Sequence, residues 1–167
     1  MHTILILIFL IFDFFYFVYN MEKNSIIYKQ FYNNIIPLHE MSGLQWFALT
    51  KNYGTSYGDL VQAYEFIQKP KLLDIGNGNI REKIEKTILP YDSSILIYSE
   101  PDEQYSGGRS NKMYHELVKK YFGDSFDGTI IDEKLLISGE KYSKEDLEGP
   151  SEIVLWKDFS VLLREII

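Results

Sequence analysis

The sequence predicts an α+β fold, and three observations carry that expectation. Strand-like runs rich in β-branched and aromatic residues outnumber the helical patterns. They often follow one another directly, where a parallel α/β layer would alternate strand with helix. From Met21 onward no linker, repeat or low-complexity run interrupts the chain. At 167 residues it is long enough to bury one ordinary core, so residues 21–167 read as a single domain.

The elements are short. "SIIYKQF" (25–31) and "LQWFAL" (44–49) have strand composition, and "NYGTSYGDL" (52–60), with two glycines, reads as a brief helix or turn. "VQAYEFI" (61–67) and, after Pro70, "KLLDI" (71–75) are two strands in close succession. "IREKIEKTI" (80–88) repeats apolar residues at helical spacing and is stopped by Pro90. "SSILIYS" (93–99) reads as a strand or a buried apolar segment. Ser110 can cap a helix that runs to about Phe122 and ends at Gly123. "FDGTIID" and "SEIVLW" are strands, and "FSVLLREII" is a final strand or short helix.

The first twenty residues are a separate problem. "ILILIFLIFDFFYFVYN" (4–20) is almost wholly apolar, with Asp13 its one charged residue. It is slightly short for a spanning helix and carries its charge near the middle. It also lacks the basic start and small-residue cleavage site of a secretory signal. Three readings of residues 1–20 stand open: a membrane anchor, a cleaved signal, or a spurious extension upstream of a start at Met21. The segment is set aside from fold reasoning, and a membrane partner enters only through residues 4–20. Localisation follows the same division: membrane-associated with a real anchor, soluble without one.

Charge and composition exclude several classes. A net charge of −7 with no basic cluster offers no footprint for a phosphate backbone, so no nucleic-acid partner is expected. The absence of cysteine removes disulfides, thiolate nucleophiles and Cys-based metal sites together.

Individual motifs are weak. "LLDIGNGN" (72–79) resembles the opening of an S-adenosylmethionine or nucleotide site resting on Asp74, Gly76 and Gly78. Arg81 stands where a dinucleotide fold needs its third glycine, and the chain beyond Ile80 is too short for a doubly wound core. A β-turn on Asn77 and Gly78, both tolerant of positive φ, is the plainer expectation. "YSGGRSNK" (105–112) reads as a loop and helix cap, because it lacks the full phosphate-loop spacing. His39 and Glu40 lack a second His one turn away, since position 43 is Gly. Both His39 and His115 read as surface residues.

The stronger signal is an ordered set of phrases. "GLQWFALTKNYGTSYGD", "VQAYEFIQKPKLLDIGN", "YFGDSFDGTIID" and "GPSEIVLWKDFSV" together resemble the ADP-ribosyltransferase-like families, including the poly(ADP-ribose) polymerase and the phage and toxin-like branches. The resemblance covers roughly residues 26 to 165 and rests on order and spacing. It implies split antiparallel β-sheets with short flanking helices, and NAD as substrate. It places Glu152 at the catalytic glutamate, Trp46 at the aromatic position that stacks on nicotinamide, and Tyr57 beside the pocket. Lys29 falls where the family carries a His or Arg that orients NAD, and Lys lacks arginine's planar fork.

The chemistry implied is transfer of ADP-ribose to an unidentified protein or small-molecule acceptor, or hydrolysis of NAD. Breaking the nicotinamide glycosidic bond leaves an oxocarbenium-like ribose, which a fixed carboxylate stabilises. Two alternatives remain: a non-catalytic relative that keeps the fold for binding, and a small S-adenosylmethionine-dependent methyltransferase.

Overall fold

The computed structural model describes residues 18–19, 21–51, 58–98, 112–131 and 152–167. In chain order the elements are β1 (Val18–Tyr19), β2 (Ile26–Phe31), a 3-10 turn (Leu38–Glu40), β3 (Gln45–Ala48), β4 (Leu60–Phe66), β5 (Leu72–Asp74), α1 (Gly78–Ile88), α2 (Ile95–Tyr98), α3 (Lys112–Phe122), β6 (Gly128–Ile131), β7 (Glu152–Leu155), α4 (Phe159–Leu162) and β8 (Leu163–Ile166). The strands lie side by side in the order β1, β5, β6, β7, β3, β2, β4, β8. Among the described residues the sheet thus has eight strands, seven of them extended by the two-residue β1, which pairs at one edge with Leu72 and Leu73.

The α+β class agrees with the sequence reading, and the sheet is mostly antiparallel. The exception is β5 with β6, which run parallel. The chain between them carries α1, α2 and α3, the long crossover that parallel pairing requires. Two split antiparallel sheets were the expectation; among the described residues there is instead one continuous mixed sheet. The ladder of β3 on β7, from Gln45 opposite Leu155 to Ala48 opposite Glu152, joins what would otherwise be separate halves. A trace of a split survives next to it. Strands β2 and β3 pair at a single register position, Tyr28 with Ala48, whereas β2 and β4 pair at six.

Each face of the sheet buries its own core, because side chains alternate along a strand. On one face Leu73, Ile131 and Val154 meet Ile80, Ile84 and Ile88 of α1, Ile95 of α2 and Tyr114, Leu117, Val118 and Phe122 of α3. On the other, Ile27, Phe31, Phe47, Tyr64, Phe66, Leu72, Ile153 and Leu155 are covered by Met21, Met41, Phe159 and Leu162. The spacing of the three isoleucines on α1 is one buried stripe at helical period.

Two local expectations are corrected. "SSILIYS" holds the four-residue helix α2 rather than a strand. Asp92 Oδ1 accepts the Ser94 N–H and hydroxyl and so starts a turn; Ile95 is buried in the core and Tyr98 packs against it, with Leu96 and Ile97 exposed. Asn77 and Gly78 do not use positive φ. Asn77, at φ −79°, is the N-cap of α1, its side-chain oxygen accepting from the Asn79 and Ile80 N–H groups at 3.0 and 3.4 Å. The last run, read as a strand or a short helix, is both in succession: α4 and then β8.

The phrase "FDG" is a three-way tie. Asp127 Oδ2 accepts the Lys71 N–H at 2.8 Å, its own N–H donates to the Lys71 carbonyl, and its carbonyl accepts from Trp156 N. The indole N–H of Trp156 closes the knot on the Phe126 carbonyl at 2.8 Å. Gly128 follows because the backbone of β7 passes so close that a Cβ would lie 2.2 Å from the Val154 carbonyl oxygen.

Candidate functional site

Where β2 and β3 part, a cleft opens. It encloses about 490 Å³ including its mouth and is lined by Tyr28, Lys29, Gln30, Trp46, Phe47, Ala48, Thr50, Lys51 and Glu152. Three of the four residues singled out from the sequence, Lys29, Trp46 and Glu152, therefore meet at one place. The fourth, Tyr57, lies outside the described residues.

Trp46 and Glu152 come together through the β3–β7 register. Ala48 faces Glu152 and Trp46 faces Val154. Because Trp46 and Ala48 are two residues apart, all four side chains lie on one face of the sheet. It is the face that carries the helices, since Val154 and Trp46 both pack with that core. Both Trp46 and Glu152 are half-buried, so each presents a surface to the cleft while being held by the sheet.

Lys29 arrives from the other side. It shares a face of β2 with Ile27 and Phe31, which are buried in the opposite core, and its ammonium lies 5.7 Å from the Phe31 ring centroid and 5.2 Å from that of Phe47. Its Nζ donates to the Trp46 carbonyl oxygen at 3.1 Å. Burial lowers its pKa from 10.5 to about 8. Lys29 is thus a tie across the seam, fastened to the backbone of the residue whose side chain forms the opposite wall.

The sequence reading did not pick out Tyr28, Gln30, Thr50 or Lys51. Tyr28 and Gln30 were findable, since they alternate with Ile27 and Phe31 and so share the face of Trp46 and Glu152. Lys51, exposed at the rim, carries a positive charge beside the cleft. It follows β3 and had no motif to mark it.

His115 corrects an expectation outright. It was read as a surface residue, but it is fully buried. Its Nδ1 lies 3.0 Å from Thr129 Oγ1, and its ring meets Trp46 edge to face at a centroid distance of 6.0 Å. Burial pushes its pKa from 6.5 to about 3, so it is neutral at physiological pH. His39, in contrast, is exposed beside Glu40 as expected. The residues of the nucleotide-like phrase are spent on local structure. Asp74 is buried and Asp74 Oδ1 accepts the Asn77 N–H at 3.2 Å, while Asn77 caps α1.

Among the described residues no group of three or more His, Asp and Glu side chains is placed to hold a metal, and no helix is long and apolar enough to cross a membrane. The N-terminal segment lies outside the described residues apart from Val18–Tyr19. Comparison with protein-family models, with curated proteins and with solved structures finds no match.

Proposed function

We propose that the cleft binds NAD and that the chain is an ADP-ribosyltransferase-like enzyme, transferring ADP-ribose or hydrolysing NAD. One observation supports this most: Trp46 and Glu152, distant in sequence, stand on adjacent strands, on one face, in one cleft. The indole offers a flat apolar surface for the nicotinamide ring. The Glu152 carboxylate stands nearby to stabilise positive charge on ribose. Lys51 at the rim adds a cation suited to the diphosphate.

In the proposed reaction the bond between ribose C1′ and the nicotinamide nitrogen breaks, and its electron pair leaves with neutral nicotinamide. The ribose becomes oxocarbenium-like, and a lone pair of the acceptor or of water forms the new C1′ bond. The acceptor's proton passes to solvent or to a carboxylate. Glu152 contributes electrostatically throughout, by holding negative charge near the ribose hydroxyls. In the finer fold reading the chain is an ADP-ribosyltransferase-like domain whose two halves are joined along β3 and β7, with the parting of β2 and β3 beside the cleft as what remains of the split.

A second reading, a non-catalytic binding domain on the same fold, is favoured by Lys29. Its ammonium is engaged by the Trp46 carbonyl, whereas orienting a dinucleotide calls for a cation free to turn toward the ligand. The acceptor is a protein or small molecule of unassigned class.

The test uses NAD labelled in both halves, incubated with the wild-type chain and with Glu152→Gln. Release of nicotinamide by the wild type and its loss in the variant are the expected results. A folded wild type that binds NAD without turnover would replace the enzyme reading with the binding domain. One that neither binds nor turns over NAD would remove the NAD reading and leave a binding domain for another partner.

A further inference from the structure

We propose that His115 is a positioning residue for the cleft, a buried brace that fixes the orientation of the Trp46 ring from behind. The inference deepens the NAD reading only in naming the ligand; the brace itself rests on geometry. The registers β3 to β7 and β7 to β6 place Trp46 opposite Val154 and Val154 opposite Thr129. These three residues form a row across three strands on the helix-bearing face. His115 on α3 spans that row, with Nδ1 on the Thr129 hydroxyl at 3.0 Å and its ring edge to face with Trp46 at 6.0 Å and 86°. Tyr114 meets the imidazole from another side, also at 6.0 Å and at 90°.

A histidine is a costly choice for such a place. Its Nε2 is buried without a hydrogen-bond partner among the described residues, and an unmet polar atom in a core is unfavourable. A leucine would fill similar space with no polar atom to satisfy. What leucine cannot do is hold a ring plane: the Thr129 hydroxyl anchors one edge of the imidazole, and that fixes the angle at which it meets Trp46. The indole is thus held by His115 while Trp46 also lines the cleft. A stacking wall works best when its plane is fixed before the ligand arrives, because less ordering remains for binding.

The test reads Trp46 directly. The chain contains two tryptophans, so incorporation of 5-fluorotryptophan gives two fluorine resonances, assigned with a Trp46→Phe variant. Thr129→Val removes the hydroxyl at nearly constant volume, and Thr129→Ser restores it. In folded Thr129→Val the Trp46 resonance is expected to shift or broaden while that of Trp156 stays. Affinity for nicotinamide is expected to fall roughly fivefold, about the worth of one aromatic contact, and Thr129→Ser should recover both readings. His115→Phe, which keeps a ring without the anchor, should behave like Thr129→Val and serves if the valine variant fails to fold. An unchanged Trp46 resonance in either folded variant would overturn the brace. So would a shifted resonance with unaltered nicotinamide affinity, which would leave His115 an ordinary core residue. A shifted resonance in a chain that binds neither nicotinamide nor NAD supports the brace and removes the NAD reading instead.

Discussion

Lys29 donates its ammonium to the main-chain oxygen of Trp46, 3.1 Å away, across the gap where β2 and β3 stop pairing. A cation stands in for ladder hydrogen bonds that the strand divergence removes. Burial holds its pKa near 8 against 10.5 in the unfolded chain. Between those values the unfolded state binds more protons, so stability rises with pH there, by up to about 1.4 kcal/mol per unit from this group. Below about pH 8 both states are charged and the desolvation cost is present in full. Urea unfolding of wild type and Lys29→Met from pH 7 to 9.5 should show that rise in the wild type and its absence in the variant. Parallel curves would mean that Lys29 is not buried as a cation.

Gly128 tests the tightness of the central sheet. A Cβ there would stand 2.2 Å from the Val154 carbonyl oxygen and 2.9 Å from Leu155 Cδ2. The first neighbour is backbone and cannot swing aside, so β6 and β7 must separate. Gly128→Ala is expected to cost about 3 kcal/mol or more, at the upper end for overpacking, measured by urea unfolding. A loss below about 1 kcal/mol would mean that the strands adjust easily.

The capping role of Asn77 gives a smaller, sharper contrast. Asn77→Ala removes the acceptor for two N–H groups at the start of α1 and should cost about 1 kcal/mol. Asn77→Asp keeps an acceptor and adds a favourable charge at the helix N-terminus, so it should be neutral or slightly stabilising. Equal losses in the two variants would point to a role for the amide other than capping.

Much of the fold could be read from the sequence because strands declare themselves locally. Ile27 and Phe31 against Tyr28 and Gln30 already state an alternation, and "KLLDI" or "SEIVLW" read as buried strands without knowledge of their partners. The site was only half legible. An ordered resemblance singles out Glu152 and Trp46 as candidates, but that they share a face depends on the pairing of Ala48 with Glu152, which no local pattern encodes. Lys29's bond to a backbone oxygen depends on two strands diverging, again a property of the sheet. His115 was misread for a different reason. Charged neighbours Glu116 and Lys119 suggested an exposed turn, although His115 lies three and seven residues before the buried Val118 and Phe122 and so shares their stripe. A stricter count of helical period would have placed it inside.

That burial has a pH signature of its own. His115 binds a proton near pH 6.5 when unfolded but only near pH 3 when folded. Between those values the unfolded chain holds the extra proton, so this contribution to stability is full above about 6.5 and is lost as pH falls toward 3, with a slope up to about 1.4 kcal/mol per unit. Carboxylates also titrate below pH 5, so the informative quantity is the difference between wild type and His115→Phe. That difference should shrink or reverse on acidification from pH 7 to 4. A constant difference would mean that His115 can take up its proton within the fold.

On the proposed NAD chemistry Trp46 and Glu152 are expected to fail in different ways, because that reading assigns one to the ground state and the other to the transition state. Stacking on nicotinamide is present before any bond breaks, so Trp46→Ala should raise KM for NAD roughly fivefold and change kcat less. Charge on ribose develops only as the bond breaks, so Glu152→Gln should lower kcat about 100-fold or more while KM stays within about threefold. The two side chains share one face of adjacent strands without facing each other in register, so neither substitution needs to disturb the other's backbone, and Trp46→Phe should recover most of the lost affinity. Steady-state nicotinamide release across the three variants checks the split. If Glu152→Gln raises KM and spares kcat, the carboxylate is a binding group and the chemistry must be assigned to another residue of the cleft.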